Sequence, residues 1–316
     1  MTIPDLDAVR AAAQRIAPYA HRTPVLRSHS LDRLADAELH FKAEHLQRVG
    51  AFKFRGACNA VFSLDDDQAA RGVVTQSSGN HGAAIALACK LRGIAATVVV
   101  PRSAPQVKLQ AIADFGARIV PCEVAQEDRD RVTAQVLAET GGELIHPFDD
   151  ARVIAGQGTV ALELLQQVDG LDAVIAPVSG GGLLSGTALV VKALKPDIQV
   201  WGAEPEGASD AFESLRQQRR VTELVPNTIC DGLRARLSER TFGILSRHCD
   251  GILLAHDDAV RAAMRMVFER LKQVIEPSGA IGLAALLLAA PRFSGKRVGI
   301  VLSGGNLDLS PLFPLA

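Results

Sequence analysis

No two of the five cysteines, Cys58, Cys89, Cys122, Cys230 and Cys249, stand in a C-x-x-C spacing, and their number is odd. That argues against both a disulfide framework and a zinc site, and it fits a reducing cytosol. The eight histidines form no H-E-x-x-H pair, so most of them read as structural or surface residues. Formal net charge is only -1, and no run of Lys/Arg interleaved with aromatics occurs. The electrostatic footprint of a nucleic-acid partner is therefore missing. The uncharged apolar stretch Gly279 to Ala290 falls short of the roughly 20 apolar residues of a membrane span and reads as a buried Ala/Leu helix. The opening residues MTIPDLDAVR lack the basic-then-hydrophobic order of a secretory signal, which makes a cytoplasmic location the expectation. Internal repeats, low-complexity segments and Pro/Gly/Ser-rich linkers are also absent.

What the 316 residues do contain is alternation. Short apolar runs, GVVTQ, ATVVVP, ARIVPC, DAVIAPV, IQVWGAE and RVGIVLSG, alternate with longer stretches of helical periodicity such as AAIALACKLRG and DDAVRAAMRMVFERLKQ. Continuous rather than alternating apolarity predicts parallel strands covered by helices on both faces, an α/β architecture with its sites at the carboxyl ends of the strands. The polar breaks SLDDDQAARG (Ser63 to Gly72) and HPFDDARV (His146 to Val153) bracket a self-contained run of strand–helix units. We read residues 66–150 as a small domain inserted in a large one formed by 1–65 and 151–316, with a small-molecule cleft between the two lobes.

Four stretches carry candidate chemistry. Ser179-Gly180-Gly181-Gly182-Leu183 follows an apolar strand and leads into a helical run, an arrangement that cradles a phosphate with backbone N–H groups and a helix N-terminus. A glycine run alone also fits a tight turn. No Lys-Ser/Thr pair follows it, and Ser185 occupies the third glycine position of a dinucleotide fingerprint, so neither familiar nucleotide motif applies. In GAFKFRGACNA, Lys53 lies between Phe52 and Phe54 at the start of a helical run. Desolvation and the positive helix end both favour its neutral amine, the form that condenses with an aldehyde. In QSSGNHGAAIALACKLRG, Ser77, Ser78 and Asn80 open a helix, serving as a cap or as a carboxylate site, and Asn80 can hydrogen-bond a phenolate-like oxygen. Ser303 in VGIVLSGGN stands at the end of the last core strand, where a turn serine is equally expected.

With FKFRGA, SSGNHG, SGGGL and SGGN in this order, the whole chain resembles the fold-type-II (tryptophan synthase β-like) pyridoxal-phosphate enzymes of the serine/threonine dehydratase and serine racemase group. The resemblance implies two lobes, each with a mostly parallel sheet, and pyridoxal 5′-phosphate held by Lys53. It further implies phosphate binding by Gly180, Gly181, Gly182 and Leu183, Phe52 along the ring, Asn80 at the 3′-oxygen and Ser303 at the pyridine nitrogen. Ser77, Ser78, Asn80, His81 and Arg129 would meet the substrate, with Lys53 and Ser78 as catalytic groups on opposite faces. Glu204, Asp210 and the Ala208 carbonyl match a divalent-cation site whose oxygen ligands suit Mg²⁺, or Ca²⁺ or Mn²⁺. A homodimer is implied in the same way. A hydroxyl at position 303, unlike a carboxylate, does not hold a full positive charge on the ring nitrogen, and elimination tolerates that weaker electron sink best.

The expected activity is therefore loss of water and ammonia from L-serine, L-threonine or a related 3-hydroxy amino acid to give a 2-oxo acid. Serine racemisation with elimination on the side is the alternative. Ser78 favours it, whereas Phe148 in HPFDD resembles bacterial dehydratases. A β-replacement transferase shares the fold, although SSGNHG argues against it. A non-enzymatic sensor of the cofactor or of an amino acid would require Lys53 to be dispensable. With ten residues after Asn306, no C-terminal regulatory domain of the threonine-deaminase kind is expected.

Overall fold

The structure, a computed structural model, describes residues 2–77, 79–104 and 106–308. The described residues hold ten strands: β1 (Val25–Leu26), β2 (Glu38–Lys42), β3 (Val73–Gln76), β4 (Ala96–Pro101), β5 (Arg118–Cys122), β6 (Glu143–Leu144), β7 (Ala173–Pro177), β8 (Gln199–Pro205), β9 (Gly251–Ala255) and β10 (Arg297–Val301). They form a six-stranded sheet in the order β1-β2-β10-β7-β8-β9 and a four-stranded sheet in the order β5-β4-β3-β6. Every pairing is parallel except that of β1 with β2, a short antiparallel edge, in keeping with the expected mostly parallel sheets. All four strands of the smaller sheet fall within residues 66–150.

The six apolar runs singled out in the sequence are β3, β4, β5, β7, β8 and β10. Central β7 is buried at all five positions, because helices cover both faces of the sheet around it, and so its sequence has no polar alternation. The reading missed β1 and β6, at two residues each too short to show a period, and the five-residue β9. Its failure at β2 has a different cause. ELHFK carries Lys42, which is fully buried because it enters an ion cluster rather than because it is apolar. The DDAVRAAMRMVFERLKQ stretch is a helix to Met266 that widens into a π-helical turn, Val267–Leu271.

Parallel strands put their carboxyl ends on one edge, and the loops leaving β2, β7, β8 and β10 gather there. What fixes the spacing of that edge is close helix packing. A Cβ on Gly156 would stand 2.6 Å from the Arg55 carbonyl oxygen, and one on Gly186 would stand 2.6 Å from both the Gly158 nitrogen and the Ile154 carbonyl oxygen. The helices Lys53–Phe62, Ala151–Gln167 and Gly182–Leu194 thus meet backbone against backbone. Because the atoms in the way are main chain, Gly186→Ala has no side chain to push aside. Its thermal midpoint should fall by an amount corresponding to about 1–3 kcal/mol, whereas Gly243→Ala, with nothing within 4 Å of the added carbon, should cost far less. Equal midpoints for the two variants would contradict this packing.

Candidate active site

Lys53 opens its helix, and its Nζ donates to the Pro147 carbonyl oxygen at 2.9 Å while lying 5.3 Å from the centroid of the Phe52 ring. The residue as a whole is half-buried, but its amine end is enclosed, and desolvation pushes its pKa down to about 8. One residue earlier, the Phe52 N–H donates to the Ser303 carbonyl oxygen at 3.0 Å, and Ala51 pairs with Gly304 in an isolated bridge. The lysine is thereby pinned beside the end of β10. Ser303 is buried, and among the described residues its hydroxyl has only a long 3.5 Å contact to the Ser278 carbonyl oxygen, which leaves it available to a ligand.

The neighbouring strand β7 runs into the glycine loop. Gly181 has φ +86°, and Ser179, where the resembled group more often has glycine, also lies in the left-handed region at φ +53°. An L-residue pays about 1–2 kcal/mol for that conformation. In partial return, the Ser179 hydroxyl accepts from the Ala235 N–H at 3.3 Å. The Gly181 N–H donates to the Val178 carbonyl oxygen at 3.1 Å, so it is already engaged. The first-turn N–H groups of Gly182 and Leu183 have no intrahelical acceptor, an arrangement that can receive an anion. Glycine is needed at 180 for a second reason: a Cβ there would stand 2.4 Å from the Phe148 ring.

Phe148 belongs to the segment that carries Pro147. His146 Nδ1 accepts from the Asp149 N–H at 2.9 Å, which leaves the proton on Nε2, and burial pushes its pKa down despite the opposing charge of Asp149. Asp149 in turn accepts from the Ser238 hydroxyl at 3.0 Å and Arg240 Nη1 at 2.9 Å.

On the side of the smaller sheet, Asn80 opens the helix Asn80–Arg92. Its Nδ2 donates to both Glu276 oxygens at 3.0 and 3.2 Å, and its Oδ1 accepts from Asn306 Nδ2 at 2.8 Å. These bonds fix the amide orientation, with the NH₂ end shared with a carboxylate. His81 is buried, neither ring nitrogen reaches a hydrogen-bond partner among the described residues, and desolvation, with the Lys53 charge added, holds its pKa well down against the nearby Ile145 backbone. A buried orphan imidazole at a helix N-terminus is fit to receive an anionic ligand. Ser77 caps locally, its Oγ accepting from the Gly79 N–H at 3.3 Å. Ser78 lies outside the described residues. Arg129 sits in the first turn of the helix Gln126–Thr140 with its Nε buried and, among the described residues, without a partner, and no bond joins it to the described residues above.

Glu204, near the carboxyl end of β8, forms a separate group with Ala208 and Asp210, which follow the strand. Glu204 accepts from the Ala211 and Phe212 N–H groups at 3.1 and 2.9 Å, and Asp210 from the Leu237 N–H at 3.2 Å. Burial, with the Asp210 charge added, raises the Glu204 pKa to about 8, and burial raises that of Asp210 to about 6. Among the described residues no cluster of three or more His/Cys/Asp/Glu side chains is placed to hold a metal, so a cation here would rely on these two carboxylates and on carbonyl or water oxygens.

Sequence reasoning missed Glu276, Asn306, His146 and Asp149. Asn306 lies in the SGGN stretch and His146 and Asp149 in HPFDD, both already singled out without a role for these residues, and Glu276 precedes Pro277, which stands at the first helical position of Pro277–Leu288.

Comparison with known proteins matches residues 16–304 to the family described as pyridoxal-phosphate dependent enzyme. The chain is 49% identical over 314 residues to serine racemase from Arabidopsis thaliana, covering 98% of this chain and 95% of that protein. It is 47% identical over 312 residues to the beta-hydroxyaspartate dehydratase of Paracoccus denitrificans, covering 99% of each. The solved structure of maize serine racemase superposes with a TM-score of 0.97 at 47% identity, covering 99% of this chain and 96% of that one.

The raised carboxyl pKa values have a thermodynamic consequence. Folded values of about 8 and about 6 exceed the ordinary 4.5 and 3.8, so what these groups contribute to stability is complete at acid pH. It is lost as pH rises through the two folded values. In chelator, the thermal midpoint should fall between about pH 5 and 8, and Glu204→Gln should flatten that fall. A slope unchanged by the substitution would contradict the burial argument.

Proposed function

The chain belongs to the family of pyridoxal-phosphate-dependent enzymes, and from that premise we propose that it is an ammonia-lyase acting on L-serine, L-threonine or a related 3-hydroxy amino acid. The net reaction converts the substrate to a 2-oxo acid and ammonium: water leaves across the Cα–Cβ bond and water later replaces the nitrogen. The observation that carries this reading is a desolvated Lys53 amine held beside a glycine cradle, with a hydroxyl and no carboxylate at the Ser303 position. These residues fit the cofactor: Lys53 would hold its aldehyde, Gly180, Gly182 and Leu183 its phosphate, Asn80 its 3′-oxygen, Phe52 its ring face and Ser303 its ring nitrogen. Once bound, the cofactor supplies an electron sink for the electrons left when Cα loses its proton.

The chain's own groups do the rest. With a pKa of about 8, Lys53 Nζ is unprotonated often enough near neutrality to take the Cα proton. Ser77, His81 and the N–H groups opening the Asn80 helix supply donors for the substrate carboxylate, with Arg129 as the cation nearest in role. The neutral Ser303 hydroxyl leaves the electron sink weak, so departure of the β-hydroxyl is favoured over accumulation of negative charge.

Amino-acid racemisation is the second reading, and the similarity to serine racemases over nearly the whole chain favours it. It requires a proton donor opposite Lys53, the role that falls to Ser78. We also assign Glu204, Asp210 and the Ala208 carbonyl to Mg²⁺ or Ca²⁺, and expect a homodimer.

A panel of 3-hydroxy amino acids of both configurations, including serine, threonine and 3-hydroxyaspartate, decides between the readings when scored for 2-oxo acid and for the opposite enantiomer. Elimination should dominate, and Ser78→Ala should abolish any racemisation while sparing elimination from the L-substrate. Equal loss of both activities would contradict the role given to Ser78, and no 2-oxo acid from any substrate would overturn the lyase. For the cation, Mg²⁺ or Ca²⁺ should raise the thermal midpoint of the wild-type protein by several degrees near pH 8 and leave Glu204→Gln unmoved. A wild-type midpoint indifferent to both ions would remove the assignment.

A further inference from the structure

Directly behind Lys53 lies a group of charges that the reaction does not use. Arg55, Glu44 and Lys42 are all fully buried. Arg55 Nε and Nη2 donate to the two Glu44 oxygens at 2.7 and 2.9 Å, and its Nη1 and Nη2 donate to the two Glu163 oxygens at 2.8 Å each. Nη1 also reaches the Thr159 hydroxyl at 3.2 Å and Nη2 the His21 carbonyl oxygen at 3.3 Å. Lys42 Nζ donates to Glu163 at 2.7 Å, Gln167 at 2.9 Å and the Thr23 carbonyl oxygen at 2.8 Å. Two cations meet two carboxylates, and every guanidinium N–H has an acceptor.

Net stability is a poor account of such a cluster, because desolvating four charges offsets most of their attraction. Geometry is a better one. Residues 53 and 55 lie about 200° apart around their helix, so Lys53 meets the Pro147 carbonyl while Arg55 enters the charge cluster on the other side. Both are tied to one stretch of chain. Lys53 bonds to Pro147, just before the helix Ala151–Gln167, and Arg55 bonds to Thr159 and Glu163 on that helix.

We propose that Arg55 is a positioning residue: through Glu44 and Glu163 it clamps the first turn of the Lys53 helix so that the lysine amine stays enclosed against the Pro147 carbonyl. The proposal rests on the reading that Lys53 takes the cofactor aldehyde. The titratable groups facing the amine are His81 from the Asn80 helix and His146 from the Pro147 segment, both held toward neutrality by burial. Enclosure, rather than a neighbouring charge, therefore sets how readily Lys53 gives up its proton, and enclosure depends on where the first turn sits.

The test uses the full-length chain freed of cofactor and mixed with pyridoxal phosphate across a pH series. Condensation joins Nζ to the aldehyde carbon and releases the aldehyde oxygen as water with both amine hydrogens, so its rate follows the unprotonated fraction of Lys53. Arg55→Lys keeps the charge and loses the fork. Glu163→Gln keeps the shape and drops one charge. Both should fold, as judged by circular dichroism, yet the midpoint of the rate profile should move up from about 8 by a unit or more. Capture near neutral pH should then slow about tenfold. Folded variants with an unchanged profile, whatever their thermal midpoints, would make Arg55 merely structural and overturn the proposal. Loss of the fold in both variants would overturn it too, by showing that the cluster serves folding rather than the amine. Lys53→Ala separates the two levels: capture at the wild-type rate in that variant would bring down the Lys53 assignment itself.

Discussion

The account depends on the removal of one amine from water. A lysine in solvent is protonated at neutral pH and is a poor nucleophile and a poor base. At position 53 the surrounding chain withholds hydration, and the amine keeps one backbone acceptor, Pro147. Desolvation of a single group is a local effect, but sustaining it is not. It requires the helix start to be fixed against β10 through Phe52 and Ser303, against the Ala151 helix through Gly156, and against the interior through Arg55.

The same economy of position recurs at the glycine loop. Parallel strands β7 and β10 are neighbours, so the loops leaving them place Gly180 to Leu183 beside Ser303 without any long connection. The Gly186 contact with the Ala151 helix holds the helix that follows the glycine loop close to it. Fold and site are one constraint here, because the helices that cover the sheet also carry the reactive groups at their first turns.

Much of this was legible in the sequence, for physical reasons that differ by element. Strands buried on both faces are apolar without alternation, and five of the six runs that stood out are of this kind, the sixth, β5, being a largely exposed edge strand. Lys53 between two phenylalanines and a glycine run after an apolar strand are local signals, readable within a few residues. The Arg55 cluster is not, because its charges come from positions 44, 55 and 163 and each alone looks like a surface residue. Nor is the clamp on Asn80, which joins residues 80, 276 and 306. The engaged Gly181 N–H was equally invisible, since it depends on the left-handed turn that bends it back to Val178. Buried charge paired over long separation is the information that composition and spacing do not carry.

The central claim, that position 53 bears the amine that holds the cofactor, is open to one direct measurement. The purified protein is incubated with pyridoxal phosphate, reduced with hydride, digested and read by mass spectrometry. The account predicts a stable adduct on the peptide containing Lys53. An adduct confined to other lysines, or none at all, would contradict it.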